Sequence, residues 1–233
     1  MKYFLSILFF SIFFSSFSQT NRSIDSLYKT DPYYLEDQLY FGISYIVLQN
    51  LPTGLKQNGF SNAIKFGYIR DIPINEQRNI GLGIGLGYGR DIFYQNLRIS
   101  TDENTGELIY EVLTGTDYQS NSFNLNKIEI PFELRFRGSS PTKYKFWRVY
   151  TGATLSYIAS ASSNYTNNNI NVSFNGIKNI NPWQVGLTIS AGYGTWNFNY
   201  YYGLTKIIKD NVLINENVIQ MKEMRFGIMY YFL

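Results

Sequence analysis

Eight stretches of alternating apolar and polar residues, joined in turn by long and short connections, predict an all-β fold. More narrowly, they predict an eight-stranded antiparallel transmembrane β-barrel with short periplasmic turns and long extracellular loops. A row of glycines sets the direction of the faces. Gly81, Gly83, Gly85, Gly87 and Gly89 alternate with Ile80, Leu82, Ile84, Leu86 and Tyr88. Five glycines facing water would weaken a surface strand for no gain, whereas a narrow eight-stranded interior needs small residues where large ones crowd. The apolar faces are therefore expected to point outward to lipid, the reverse of a soluble ligand-carrying barrel.

The stretches follow in order. Leu39–Leu48 sets Phe41, Ile43, Tyr45 and Val47 against Gly42 and Ser44. Asn62–Asp71 sets Ile64, Phe66 and Tyr68 against Ala63, Lys65 and Gly67, and the glycine-alternating stretch comes third. Phe123–Arg137 carries Ile128, Ile130, Phe132, Leu134 and Phe136 opposite Lys127, Glu129, Glu133, Arg135 and Arg137. Phe146–Ile158 sets Trp147, Val149, Ala153, Leu155 and Tyr157 against Arg148, Gly152, Thr154 and Ser156. Trp183–Gly194 sets Val185, Leu187, Ile189, Ala191 and Tyr193 against Gln184, Gly186, Thr188, Ser190 and Gly192. Asn197–Thr205 has Phe198, Tyr200, Tyr202 and Leu204 opposite Asn199, Tyr201 and Gly203. Lys222–Leu233 has Met224, Phe226, Ile228, Tyr230 and Phe232 opposite Glu223, Arg225 and Gly227. Tyr68, Tyr88, Trp147, Trp183, Tyr193, Tyr230 and Phe232 sit towards strand ends, as interfacial girdles require. The last stretch is expected to close against the first and leave no edge.

Of the connections, Ile72–Asn79, Gly138–Lys145 and Thr195–Trp196 are short, and Arg98–Ser122, Ala159–Pro182 and Lys206–Met221 are long and polar. With eight strands, both ends of the barrel domain fall on the short-turn side.

The N-terminus reads as an address. Met1 and Lys2 are followed by the apolar run Tyr3–Phe14, too short for a membrane-spanning helix. Ser16 and Ser18 supply small residues before an expected cut between Ser18 and Gln19. The expected organisation is a signal peptide over 1–18, a periplasmic leader over 19–38 and an outer-membrane barrel over 39–233. The expected location is the cell outer membrane, with its lipid as partner.

Composition narrows the chemistry. The 233 residues include no cysteine and no histidine. Thiol catalysis, disulfides and the Ser-His-Asp machinery are thereby excluded, together with the usual zinc ligands. A net charge of +3 gives no nucleic-acid surface. The glycine run fails the GxGxxG register, because its period is 2 and no helix follows. Lys65, Lys127, Glu129, Glu133, Arg135, Arg148, Glu223 and Arg225 share the inward face. In a lumen just wide enough for side chains, such mixed charges are expected to pair and fill the space. Glu129 and Glu133 lie about 13 Å apart along a strand at ~3.3 Å per residue, too far for a glycosidase pair. The chain is expected to be no enzyme and to need no cofactor or metal.

The segment Asn124–Arg137, NLNKIEIPFELRFR, resembles the IP-hydrophobic-x-L-[KR]-[FY] strand of the PorT-like outer-membrane β-barrel family. Arg70–Asn75 before the glycine strand and Lys145–Tyr150 after a short turn are similar to the same family. Leu233 follows Phe232 where many outer-membrane barrels end on an aromatic. The resemblance implies a part in type IX secretion, with other secretion or envelope components as partners. Three readings follow: a scaffold in a secretion or envelope assembly, a surface-binding barrel whose loops engage a ligand, and a narrow channel.

Overall fold

The computed structural model describes residues 37–102, 104–115, 118–138, 146–167, 170–210, 212–214 and 217–232. The expected signal peptide, with Ser18 and Gln19, and all but the last two residues of the leader lie outside them. Eight strands form the wall: β1 (Gln38–Gln49), β2 (Asn62–Pro73), β3 (Ile80–Tyr94), β6 (Ser120–Arg137), β7 (Trp147–Asn167), β9 (Trp183–Tyr193), β10 (Trp196–Gly203) and β13 (Lys222–Phe232). Five shorter ones belong to the loops: β4 (Leu97–Thr101), β5 (Leu108–Val112), β8 (Ile170–Asn175), β11 (Leu213–Ile214) and β12 (Asn217–Val218). Among the described residues no helix forms.

Each wall strand is antiparallel to the next in sequence, β6 pairs with β7, and β13 pairs back onto β1. The ladder is closed, so no wall strand is left with an unpaired edge in lipid. Ile43, for example, faces Ile64 of β2 on one side and Ile228 of β13 on the other.

Alternation puts the large apolar residues outside, where Leu39, Phe66, Leu86, Phe132, Leu187 and Ile228 are all exposed. Two aromatic girdles bound this band. Trp147 meets Tyr193 and Trp196 meets Tyr230 edge to face at the turn end. Tyr157 meets Trp183, and Tyr200 meets Phe226, near the loop end. Ten residues separate Trp147 from Tyr157 on β7, which at ~3.3 Å per residue and a ~40° tilt is about 25 Å of membrane.

Two wall strands run farther than alternation suggested. β3 continues to Tyr94, and β7 does not stop at Ile158 but reaches Asn167. On β7 the reason is a bulge. Pairing with β6 slips between Asn126 and Lys127, leaving Ala159 without a partner, and Ala159 and Ser160 are both exposed in succession. The inward set changes from even residues (Ser156, Ile158) to odd ones (Ala161, Ser163), which breaks the period without ending the strand.

The long connections correct a second expectation. They are polar in composition, yet they fold over the lumen as an apolar cap. Leu55, Leu97, Ile99, Ile177, Ile207 and Ile219, one or more from each of the four connections, pack on Ile46, Phe93, Phe123 and Leu125 from the strand tops. Buried amides hold this cap together. Asn96 accepts from the Lys56 N–H and donates to the Gly54 and Leu113 carbonyls. Asn121 donates to the carbonyls of Gln95 and Leu97, and Asn181 to that of Lys206. Irregular backbone buried under a cap needs such partners, which is one physical use for the loops' asparagines.

Candidate functional site

The lumen is built by parity: each wall strand sends every second side chain inward, and the glycines decide which of them fit. A methyl group on Gly83 would stand 2.6 Å from Arg135 Nε, and one on Gly85 2.7 Å from the Ile69 side chain. On Gly87 it would strike the Tyr40 hydroxyl. On Gly81 and Gly89 it would press the Asp71 and Glu129 carboxylates, at 3.1 and 3.0 Å. The row Gly81–Gly89 is thus the floor on which the ionic side chains lie.

Two charge clusters occupy the space. Nearer the loops, Lys127 bonds Asp91 and, at 2.8 Å, Glu223. Arg225 reaches Glu223 at 2.6 Å, Asp91 at 3.0 Å and Glu129 at 3.3 Å. Lys65, on the same inward face, donates to the Asn199 amide oxygen at 3.3 Å. Nearer the turns, Arg135 meets Glu133 at 3.1 Å and Asp71 at 3.4 Å, while Arg137 meets Asp71 at 2.7 Å. Tyr40, Tyr150, Tyr231, Ile69 and Met229 pack together inside the lumen, and the Arg135 guanidinium lies over the Tyr150 ring.

Six of the eight inward charges singled out from sequence lie in one of two bonded groups, and Lys65 stands beside them on Asn199. Arg148 departs from the expected pairing. It is fully buried, stacks over Phe146 at 4.5 Å, and none of its guanidinium nitrogens finds an acceptor among the described residues. Conversely, Asp71, Asp91 and Arg137 belong to the network although they were not among the eight. Arg137 already stands on the polar face of its stretch, and carrying the same parity on from Gly67 and Gly89 reaches Asp71 and Asp91. Glu129 and Glu133 are each engaged by an arginine, so neither is poised as a catalytic carboxylate. Among the described residues no group of three or more metal-ligating side chains forms.

Outside the wall strands, two carboxylates are held by local geometry. Asp37, just before β1, accepts from the Tyr68 hydroxyl and from Arg70, both at 2.6 Å, and from the Asp71 N–H at 2.9 Å. Burial pushes its carboxyl up, but these bonds and the arginine charge outweigh that and hold it below the usual aspartate value. Asp102 caps the β4–β5 hairpin by accepting the Asn104 and Thr105 N–H groups, which lowers its carboxyl.

At the outer rim a cleft of about 460 Å³ opens between the first loop and the tops of β3 and β6, lined by Asn58, Phe60, Asn62, Tyr94, Tyr118 and Asn121 among others. On the wall, a longer apolar groove follows the β1–β13 seam between Phe41, Tyr45, Phe226 and Ile228. It runs along the lipid-facing band from Tyr45 and Phe60 down to Trp196 and Phe232.

None of the curated proteins matches this chain. Among solved structures it is similar to Ail, the attachment invasion locus protein of Yersinia pestis, in complex with the heparin analogue sucrose octasulfate. That likeness has 12% identity and a TM-score of 0.31, covering 84% of this chain and 99% of that one. A mutant porin of Rh. blastica follows at 8% identity and a TM-score of 0.16, covering 85% of this chain and 100% of that one. Residues 17–209 match the family described as outer membrane protein beta-barrel domain. With its closed eight-stranded wall, lipid-facing apolar band and paired aromatic girdles, the chain belongs to that family and resides in the cell outer membrane.

Proposed function

We propose that this barrel is a non-enzymatic, non-conducting scaffold that works through its loop cap and its periplasmic end, as a component of a secretion or envelope assembly. The observation that carries the reading is that the lumen is obstructed twice. Interlocked ion pairs fill it below the cap, and nineteen buried apolar residues among those described close it above. A water column would have to displace both, and each charge stripped of its partner in that space is costly. Type IX secretion is the narrowest form of the proposal, supported by the similarity of Asn124–Arg137 to PorT-like barrels.

Planar-bilayer recording on refolded protein tests the closed lumen: no stable single-channel steps are expected, and steps that survive loop trimming would promote the channel reading. Deletion of the protein, followed by proteomics of secreted cargo, tests the assembly role. Loss of exported cargo supports it, and an unchanged secretome sinks it.

The rim cleft favours a second reading, a surface-binding barrel. It is the recess that the first loop and the strand tops build on the side facing the cell's surroundings.

A further inference from the structure

The rim cleft has a definite chemical character. Among its described lining residues none carries a formal charge, and three aromatic rings stand beside several amides. Its volume falls in the range of small-molecule sites, about 300–1,000 Å³. Phe60 is 66% exposed, although its ring is anchored on Tyr45 at 5.1 Å. Tyr118 is anchored on Tyr165. Phe60 thus stands where the cleft meets the apolar groove of the wall and lines both.

The amides are turned in one sense. Asn58 donates its Nδ2 to the Tyr118 hydroxyl, Asn62 to the Phe60 carbonyl, and Asn121 to the carbonyls of Gln95 and Leu97. Asn121 thereby uses both hydrogens of its amide, and Asn58 and Asn62 use one each. Asn121 is buried to 2% exposure, yet its Oδ1 has no hydrogen-bond partner. A buried acceptor without a donor is a standing cost of about 1–3 kcal/mol unless something supplies the hydrogen. Phosphate, sulfate or carboxylate calls for positive charge, and the described lining carries none. A metal cation needs carboxylates, and none lines the cleft among the described residues. The complement of uncharged amides and hydroxyls beside aromatic rings is a neutral molecule that is rich in O–H groups and has an apolar ring face.

We propose that this cleft binds a neutral saccharide, with a sugar ring laid against Phe60 or Tyr118 and its hydroxyls bonding to the amides and hydroxyls of the lining. The proposal deepens the surface-binding reading and stands apart from the scaffold reading, which the bilayer and secretome experiments decide. Phe60 touches Tyr45 at the upper girdle, so the cleft opens at the level of the lipid head groups. The saccharide can come from the surroundings or from a glycolipid of the same membrane.

The test is binding of purified, refolded full-length protein to arrayed neutral hexose and N-acetylhexosamine oligosaccharides, with sialylated and sulfated counterparts. Surface polysaccharide and glycolipid extracted from the producing cell form a separate arm. At least one neutral glycan is expected to bind, at least tenfold more weakly to Phe60→Ala and Tyr118→Ala proteins that still migrate as folded when unheated. Binding in the array arm names a free glycan, and binding in the extract arm names the cell's own. Retention of charged glycans alone, absence of any binding at millimolar glycan, or binding that both substitutions leave intact would overturn the assignment.

Discussion

At the level of Arg225 and Glu223 the interior of this molecule is held by charge, and above Ile46 and Leu48, their direct neighbours on β1, it is held by hydrocarbon. The same inward face of β1 thus passes from Gly42 and Ser44 to Ile46 and Leu48 within a few residues. The change follows the solvent outside. Between the girdles the outer face meets lipid and must be apolar, so the inner face carries the polar residues that keep each segment short of a continuous apolar run. Above the girdle the outer face meets water, and apolar side chains gain only by turning inward. One chain therefore reverses its inside and outside at the membrane boundary.

The sharpest way to break the charged half is to remove one partner. Arg225→Met leaves Asp91 and Glu223 to share Lys127 and takes from Glu129 its bonded cation, and is expected to cost about 3–5 kcal/mol in urea unfolding from lipid vesicles. Arg148→Met removes an arginine that has no acceptor among the described residues, so stability is expected to hold or to rise by about 1 kcal/mol or more. Equal losses in the two variants would mean that pairing is not what distinguishes these arginines.

The apolar half breaks differently. Leu97 on β4 is almost fully buried in the cap, and Leu97→Ala is expected to cost about 2–5 kcal/mol of local stability. The cap is built from loops, so the loss is expected as faster protease cleavage between β3 and β6, with the unheated gel migration of the wall unchanged. A variant whose loops stay resistant, or whose wall melts with them, would show that cap and wall are one cooperative unit.

What was legible from sequence divides along the same boundary. All eight wall strands could be read, because a lipid-facing band forces an uninterrupted period of two, as in Ile80–Tyr88 against Gly81–Gly89. Their inward charges were legible for the same reason, except where reading stopped too soon, at Asp91 beyond the glycines and at Asp71 on the end of its strand. The cap was not legible. Leu55, Ile99, Ile177 and Ile219 are single apolar residues scattered among asparagines, serines and threonines, without a period to join them. What joins them is backbone satisfaction by Asn96, Asn121 and Asn181, and composition alone reads those residues as exposed loop. The rim cleft was hidden for a related reason, since Phe60 and Tyr118 meet only once the ladder has brought their loops together.

The smallest expected effect lies at the opposite end from the cap, where Asp37 ties the entry of β1 to β2. Its carboxylate is held by Tyr68, Arg70 and the Asp71 N–H, and its proton affinity in the folded protein is lower than in the unfolded chain. A carboxyl depressed in this way adds stability that is fully present above its unfolded pKa, about 3.9, and is lost as pH falls through the lower folded value. Arg70 is more than half exposed, so solvent screens the pair and the contribution is about 0.2–1 kcal/mol at neutral pH. Urea midpoints of wild type and Asp37→Asn are therefore expected to differ slightly and constantly from pH 7 down to about pH 5, and to converge towards pH 3 as the wild-type carboxylate protonates. A gap that widens on acidification would reverse the sign of the linkage and remove Asp37 as a stabilising clasp. A gap that survives at pH 3 would assign the clasp to the shape of the side chain, which asparagine fails to reproduce, and leave its charge without a part in it.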